Sequence, residues 1–173
     1  QTIYDSKDQI PYVGKHGEYF YNFWRDNENP RGIWRRTTME SYQTENISWE
    51  TVLDLDALST TEEENWVWHG SDCLPPEETL CIVSLSRGGA DADVKREFNI
   101  ETKSFVENGF FLPEAKSRSS WIDENSLLIG TDFGEDSLTN SGYPRMTKIW
   151  RRGTLISEAT LLFEGSKEDI SVG

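Results

Sequence analysis

At 173 residues the chain is long enough to bury the core of one domain, and its 17 basic against 31 acidic residues leave a net charge of −14. No Lys/Arg stripe interleaves with the aromatics, which argues against a nucleic-acid footprint. No run approaches the roughly 18–20 apolar residues of a membrane span, and no signal peptide is visible. Most of the acid reads as solvated surface. The chain opens at Gln1 without an initiator Met, which suggests a processed or truncated product.

Gln1 to Gly17 is polar and holds one expected strand, Ile10–Val13. Gly17–Thr38 follows, where two aromatic and β-branched runs flank the turn-rich Asn27-Glu28-Asn29-Pro30-Arg31-Gly32. That pattern reads as an antiparallel hairpin. Thr38–Tyr42 suits a helical turn capped by Thr38, and Asp56–Thr61 a second one capped by Asp56. Trp49–Leu55 between them reads as a further strand. Trp66-Val67-Trp68 then opens a second unit as an alternating strand.

The second unit repeats the first. Thr79–Ser86, the turn Arg87-Gly88-Gly89-Ala90 and Val94–Ile100 make another hairpin, followed by the strand-like Lys103–Glu107. A third unit opens at Trp121-Ile122-Asp123. It continues through Leu127–Phe133, the turn cluster Gly134–Pro144, Lys148–Thr154 and Ala159–Glu164. Trp34-Arg35-Arg36 recurs as Trp150-Arg151-Arg152, 116 positions on, twice 58. The post-hairpin strands start 54 and 56 positions apart. A repeat of this length built from short strands predicts an all-β partial β-propeller: about three four-stranded antiparallel blades (10–55, 66–107 and 118–164) plus the first strand of a fourth at 168–173. An ordinary β-sandwich with similar hairpins is the alternative.

Chemistry is sparse. No serine has glycine two residues before it, so the Gly-x-Ser-x-Gly elbow of an α/β-hydrolase is absent, and so is βα alternation. Asp132-Phe133-Gly134 matches the kinase tripeptide without its companion motifs and reads as a strand end entering a turn. Asp132, Glu135 and Asp136 do not have EF-loop spacing. Cys73, Cys81, His16 and His69 match no zinc pattern. A loop at Pro75–Glu78 would set Asp72 opposite Cys81 and offset the two thiols, which favours reduced cysteines over a disulfide. Asn46-Ile47-Ser48 fits a glycosylation acceptor of consequence only in a secreted eukaryotic protein. Catalytic, cofactor and metal residues are therefore all assigned as none. Trp34, Trp49, Trp66, Trp121 and Trp150 read as core packing rather than a sugar platform, although a Trp-rich carbohydrate-active propeller stays open. Arg35-Arg36 and Arg151-Arg152 are expected to pair with acids and stack on aromatics, with carboxylate recognition in a channel as the rival reading.

The run Tyr21–Asp26 with Asn29–Thr38 resembles the first propeller blade of the prolyl oligopeptidase family of serine peptidases, in its bacterial branch. Trp49–Asp56, Asn65–Gly70, Val83–Ala92, Pro113–Ser117 and Leu128–Gly134 continue the resemblance over nearly the whole chain. The resemblance implies a seven-bladed propeller that limits access of peptides to a separate α/β-hydrolase domain bearing the Ser-Asp-His triad. That domain is not represented here, so no catalytic residue is carried over. The implied partners are the later blades, the hydrolase domain and the parent's peptide substrates, with no nucleic acid, no membrane, and self-association of the fragment. The expected compartment is the cytoplasm, with the periplasm as alternative. A free-standing propeller-like interaction module is the other open reading.

Overall fold

Short aromatic and β-branched runs alternate with Asn-, Pro- and Gly-rich turns, and the chain responds by building hairpins. The computed structural model describes residues 13–169. Its first sheet is β1 (Gly14–His16), β2 (Tyr19–Trp24), β3 (Ile33–Thr38) and β4 (Glu50–Asp54), paired in that order. All three pairings are antiparallel. The opening strand begins at Gly14, whereas Ile10–Val13 had been expected; Val13 is not in a strand, and positions 10–12 lie outside the described residues. Gly17 turns the chain between β1 and β2 at φ +57°, a conformation that favours a residue without Cβ.

Two short helices flank β4. Helix α1 (Met39–Tyr42) is capped by Thr38, whose hydroxyl accepts from the Ser41 amide at 3.2 Å, as the sequence suggested. Helix α2 (Leu55–Glu62) starts earlier than expected. Its cap is Asp54, accepting from Ala57 N at 2.9 Å, not Asp56. Asp56 instead turns its carboxylate onto the amides of Arg31 and Gly32 and ties the helix to the hairpin turn. Leu55 is fully buried, so the helix is anchored from its first residue.

The second sheet is β5 (Trp66–Cys73), β6 (Leu80–Arg87), β7 (Asp93–Asn99) and β8 (Ser104–Phe105), with β9 (Phe111–Ala115) also on β7. β9 was not anticipated. β7 pairs its C-terminal end with β8 and its N-terminal end with β9, so the outer strand is broken in two. β6 is buried on both faces at Cys81, Ile82, Val83 and Leu85, which explains its nearly continuous apolar run. The third sheet is β10 (Arg118–Asp123), β11 (Ser126–Gly130), β12 (Met146–Arg151) and β13 (Thr160–Glu164). The expected strand at 168–173 is not seen at Glu168 and Asp169, which lie in a turn, and positions 170–173 fall outside the described residues.

The chain is therefore all-β, with three antiparallel sheets of the propeller-blade type. It divides into two compact units between Trp68 and His69. In the first, Phe23 stacks on Trp68 at 5.0 Å and Trp34 packs against Trp68 at 5.3 Å. The second is centred on Ile82, Phe110, Leu112, Leu127, Ile129 and Trp150.

Two further expectations are corrected. Cys73 and Cys81 are joined by a disulfide, with Cα atoms 3.9 Å apart. The Leu74 amide donates to the Leu80 carbonyl, so the loop is wider than Pro75–Glu78 and this register sets Cys73 opposite Cys81. The Trp-Arg-Arg recurrence is also not a structural equivalence. Trp34 is the second residue of β3, beside its hairpin turn and paired with Phe23, while Trp150 is the fifth of β12, far from its turn and paired with Leu127. Both are buried.

Candidate functional site

Alternation along β3 sends neighbouring arginines to opposite faces of the first sheet. Arg35 lies between two indoles, its guanidinium carbon 4.4 Å from the Trp24 ring and 4.1 Å from Trp49, while Nε donates to Asn22 Oδ1 at 2.9 Å. Burial lowers its pKa to about 10, against the pull of Asp26. Arg36 projects the other way. Nε donates to Glu50 at 2.6 Å and Nη1 to the Tyr21 hydroxyl at 3.3 Å, and the guanidinium lies 4.3 Å from the Tyr19 ring. Burial alone would depress its pKa; the bonds to Glu50 and Tyr21 outweigh that and hold it above the ordinary value. Arg36 thus has the acid and aromatic partners expected of it, whereas Arg35 stacks on aromatics as expected but bonds to Asn22 rather than to an acid. Trp49 lies just before β4 rather than in it.

In the second unit the break between β8 and β9 is filled by one carboxylate. Glu97, 2% exposed, accepts from the Phe110 amide at 2.7 Å and from both Nη atoms of Arg152 at 2.8 and 2.9 Å. Arg152 also lies 4.6 Å over the Phe110 ring and donates from Nε to the Glu124 carbonyl. A bidentate, charge-assisted pair of this kind fixes geometry as well as charge.

A second polar group lies one pair of residues away on β7. Lys95 Nζ donates to Ser84 Oγ at 2.8 Å and sits 3.2 Å from Asp93 Oδ1. His69 Nδ1 is 3.4 Å from Asp93 Oδ2. His69 therefore has an acidic neighbour that the sequence did not identify. The Ser84 hydroxyl, however, is engaged by Lys95 across the β6–β7 pairing, so these side chains do not assemble a serine–histidine relay. Beside Lys95 opens a cavity of about 500 Å³, lined also by Ser117, Arg118, Leu128 and Thr147.

The remaining motifs resolve as local structure. Asp132 Oδ1 accepts from the Gly134 amide and from the Ser137 hydroxyl, closing the turn that follows β11. Among the described residues no group of three His, Cys, Asp or Glu side chains could hold a metal ion. No helix among them is long and apolar enough to cross a membrane.

Comparison with known proteins decides the family. The model of the prolyl oligopeptidase N-terminal beta-propeller domain matches residues 1–173. The chain belongs to that family. It is 45% identical over 172 residues to an uncharacterized peptidase, y4nA, of Sinorhizobium fredii, covering 98% of this chain and 24% of the relative. It is 34% identical over 178 residues to the uncharacterized peptidase RP174 of Rickettsia prowazekii, again across 98% of this chain and 24% of that protein. Its fold superposes on a post-proline cleaving enzyme from Rickettsia typhi with a TM-score of 0.90 at 34% identity, over 97% of this chain and 25% of that structure. The chain thus spans about a quarter of the length of the curated relatives it matches.

Sequence reading missed Glu97, Lys95 and the cavity. Their signal was present: Lys95-Arg96-Glu97 sits between Val94 and Phe98 in a strand, and charges flanked by core residues in a strand call for partners.

Proposed function

We propose that this chain is the opening part of the propeller of a prolyl oligopeptidase-type serine peptidase, and that the propeller restricts passage of peptides to a hydrolase domain lying elsewhere in the protein. The observation that carries this reading is the shared coverage: nearly all of this chain matches relatives described as peptidases, yet it accounts for only 24% of each. Nucleophile, base and acid then belong to the other three-quarters. The partners are the remaining blades, the hydrolase domain and short peptides. The cytoplasm is the proposed compartment. The Cys73–Cys81 bridge favours the periplasm as the second reading, since disulfides persist in oxidising compartments.

Two proteins test the proposal. The full-length protein should cleave a proline-containing chromogenic oligopeptide and leave the same sequence intact inside a folded protein. The 173-residue polypeptide should show no turnover and no labelling by a serine-directed phosphonate. Stoichiometric labelling of any serine in this polypeptide would overturn it, as would a full-length enzyme indifferent to substrate size.

A further inference from the structure

The cavity beside Lys95 brings two cationic side chains together in a chain whose net charge is −14, with Asp93 paired to the first of them. Two of its lining side chains, Lys95 and Arg118, are cationic, and none of the described residues that line it is acidic. Lys95 is 8% exposed and held from behind by Ser84 and Asp93, so its ammonium is fixed in place rather than sweeping through solvent. Arg118 is exposed and uses Nη2 on the Pro144 carbonyl at 3.2 Å, which fixes the plane of its guanidinium and leaves further donors in the fork. Between them the lining carries hydroxyls. One of these, Ser117 Oγ, is a buried atom without a hydrogen-bond partner among the described residues. Buried polar atoms are rarely left unsatisfied, and those that are invite an occupant. Leu128, on the face of β11 opposite the core residues Leu127 and Ile129, supplies the apolar floor.

We propose that this cavity binds a short peptide by its C-terminal carboxylate. Lys95 and Arg118 would meet the carboxylate, the Ser117 hydroxyl would donate to it, and Leu128 would pack against the last side chain. A volume of about 500 Å³ lies within the range of small-ligand pockets, roughly 300–1,000 Å³. The proposal rests on the peptidase reading for the choice of peptide as ligand, but the cavity's preference for a carboxylate does not.

The experiment is a binding titration on the intact protein, followed by the amide resonances of Gly130 and Thr147. The probes are N-acetyl-glycyl-leucine, its C-terminal amide, and acetate. The free acid should bind at least tenfold more tightly than the amide and than acetate. Arg118→Gln should weaken it about fivefold or more, and Ser117→Ala about threefold. Lys95→Gln should abolish it; because that change strands Asp93, the exposed Arg118→Gln variant carries the test if Lys95→Gln does not fold. Equal affinity for acid and amide overturns the proposal, as does acetate binding as tightly as the dipeptide, or an Arg118→Gln variant that binds normally. None of the probes contains proline and the readout is binding. A failure of the peptidase reading therefore shows as absent turnover with the titration unchanged, and a failure of the cavity shows as the reverse.

Discussion

Arg152 and Glu97 show what a single ion pair does when one partner is out of water. Glu97 carries a side chain 1% exposed, against 28% for Arg152. Removing the arginine strands a buried carboxylate, and breaking such a pair costs on the order of 3–5 kcal/mol. Arg152→Met should therefore lose about 3 kcal/mol in urea unfolding. Glu97→Gln in the Arg152→Met background should recover part of it, because a neutral amide needs no counter-ion and can still accept from Phe110 N. A double-mutant cycle showing no coupling would mean that Glu97 is satisfied by its backbone contacts alone. Asp26 makes a complementary case at a hairpin tip. Burial works to raise its pKa, but amide donors from Asn29 and Glu28, the Asn29 side chain and the Trp24 indole together hold it below the usual carboxylate value. A depressed acid stabilises the fold above its unfolded pKa near 3.9, and that contribution is lost as pH falls through the folded value. Asp26→Ala should cost about 1 kcal/mol at pH 7, and its deficit against the parent should shrink in thermal melts as pH falls below the unfolded pKa near 3.9.

At the scale of elements, the break between β8 and β9 depends on Gly109. A Cβ there would lie 2.7 Å from Glu97 Oε2, 2.9 Å from Val106 Cβ and 3.0 Å from the Val106 carbonyl. The carboxylate cannot swing away, because Arg152 and the Phe110 amide hold it. Gly109→Ala should destabilise by about 2 kcal/mol, in the range of overpacking a close-packed site, while the same change at the open Gly153 is felt only through its φ of +76°. Circular dichroism melts of the two variants separate these effects. The hairpins themselves were legible in the sequence because period-2 alternation and Gly/Pro/Asn turns act locally. β9 was not, since Phe111–Ala115 contains Pro113 and alternates weakly, and it forms only because β7 offers an unpaired edge. The helix cap moved from Asp56 to Asp54 for a similar reason: two acids two residues apart are equally good caps, and only the tertiary bond from Gly32 decides between them. The cysteine register turned on one extra loop residue. The Trp-Arg-Arg repeat misled because identical tripeptides occupied opposite ends of their hairpins, where spacing in sequence carries no register.

For the whole molecule the open question is what its apolar edges meet. β13 ends the third sheet, paired on one side by β12. It presents Leu161, Leu162 and Phe163 at 50, 59 and 54% exposure, with Ile122 of β10 at 46% on the same sheet. Large exposed apolar side chains on an unprotected edge strand are a template for another chain, and natural sheets usually blunt such edges with charge. Here only Glu164 does so. In a protein that continues through further blades, those blades would cover this surface. Supplied alone, the 173-residue polypeptide should pair with itself through it. Light scattering at micromolar concentration should give a mass above the 19.9 kDa of one chain, rising with salt as the −14 charge is screened. Leu162→Lys places a charge on the edge and should return the polypeptide to a single chain without lowering its unfolding free energy by more than about 0.5 kcal/mol, since an exposed side chain contributes little to the fold. A single-chain mass for the unaltered polypeptide would mean that β13 is protected from within, and a Leu162→Lys variant that still associates would move the contact to another surface.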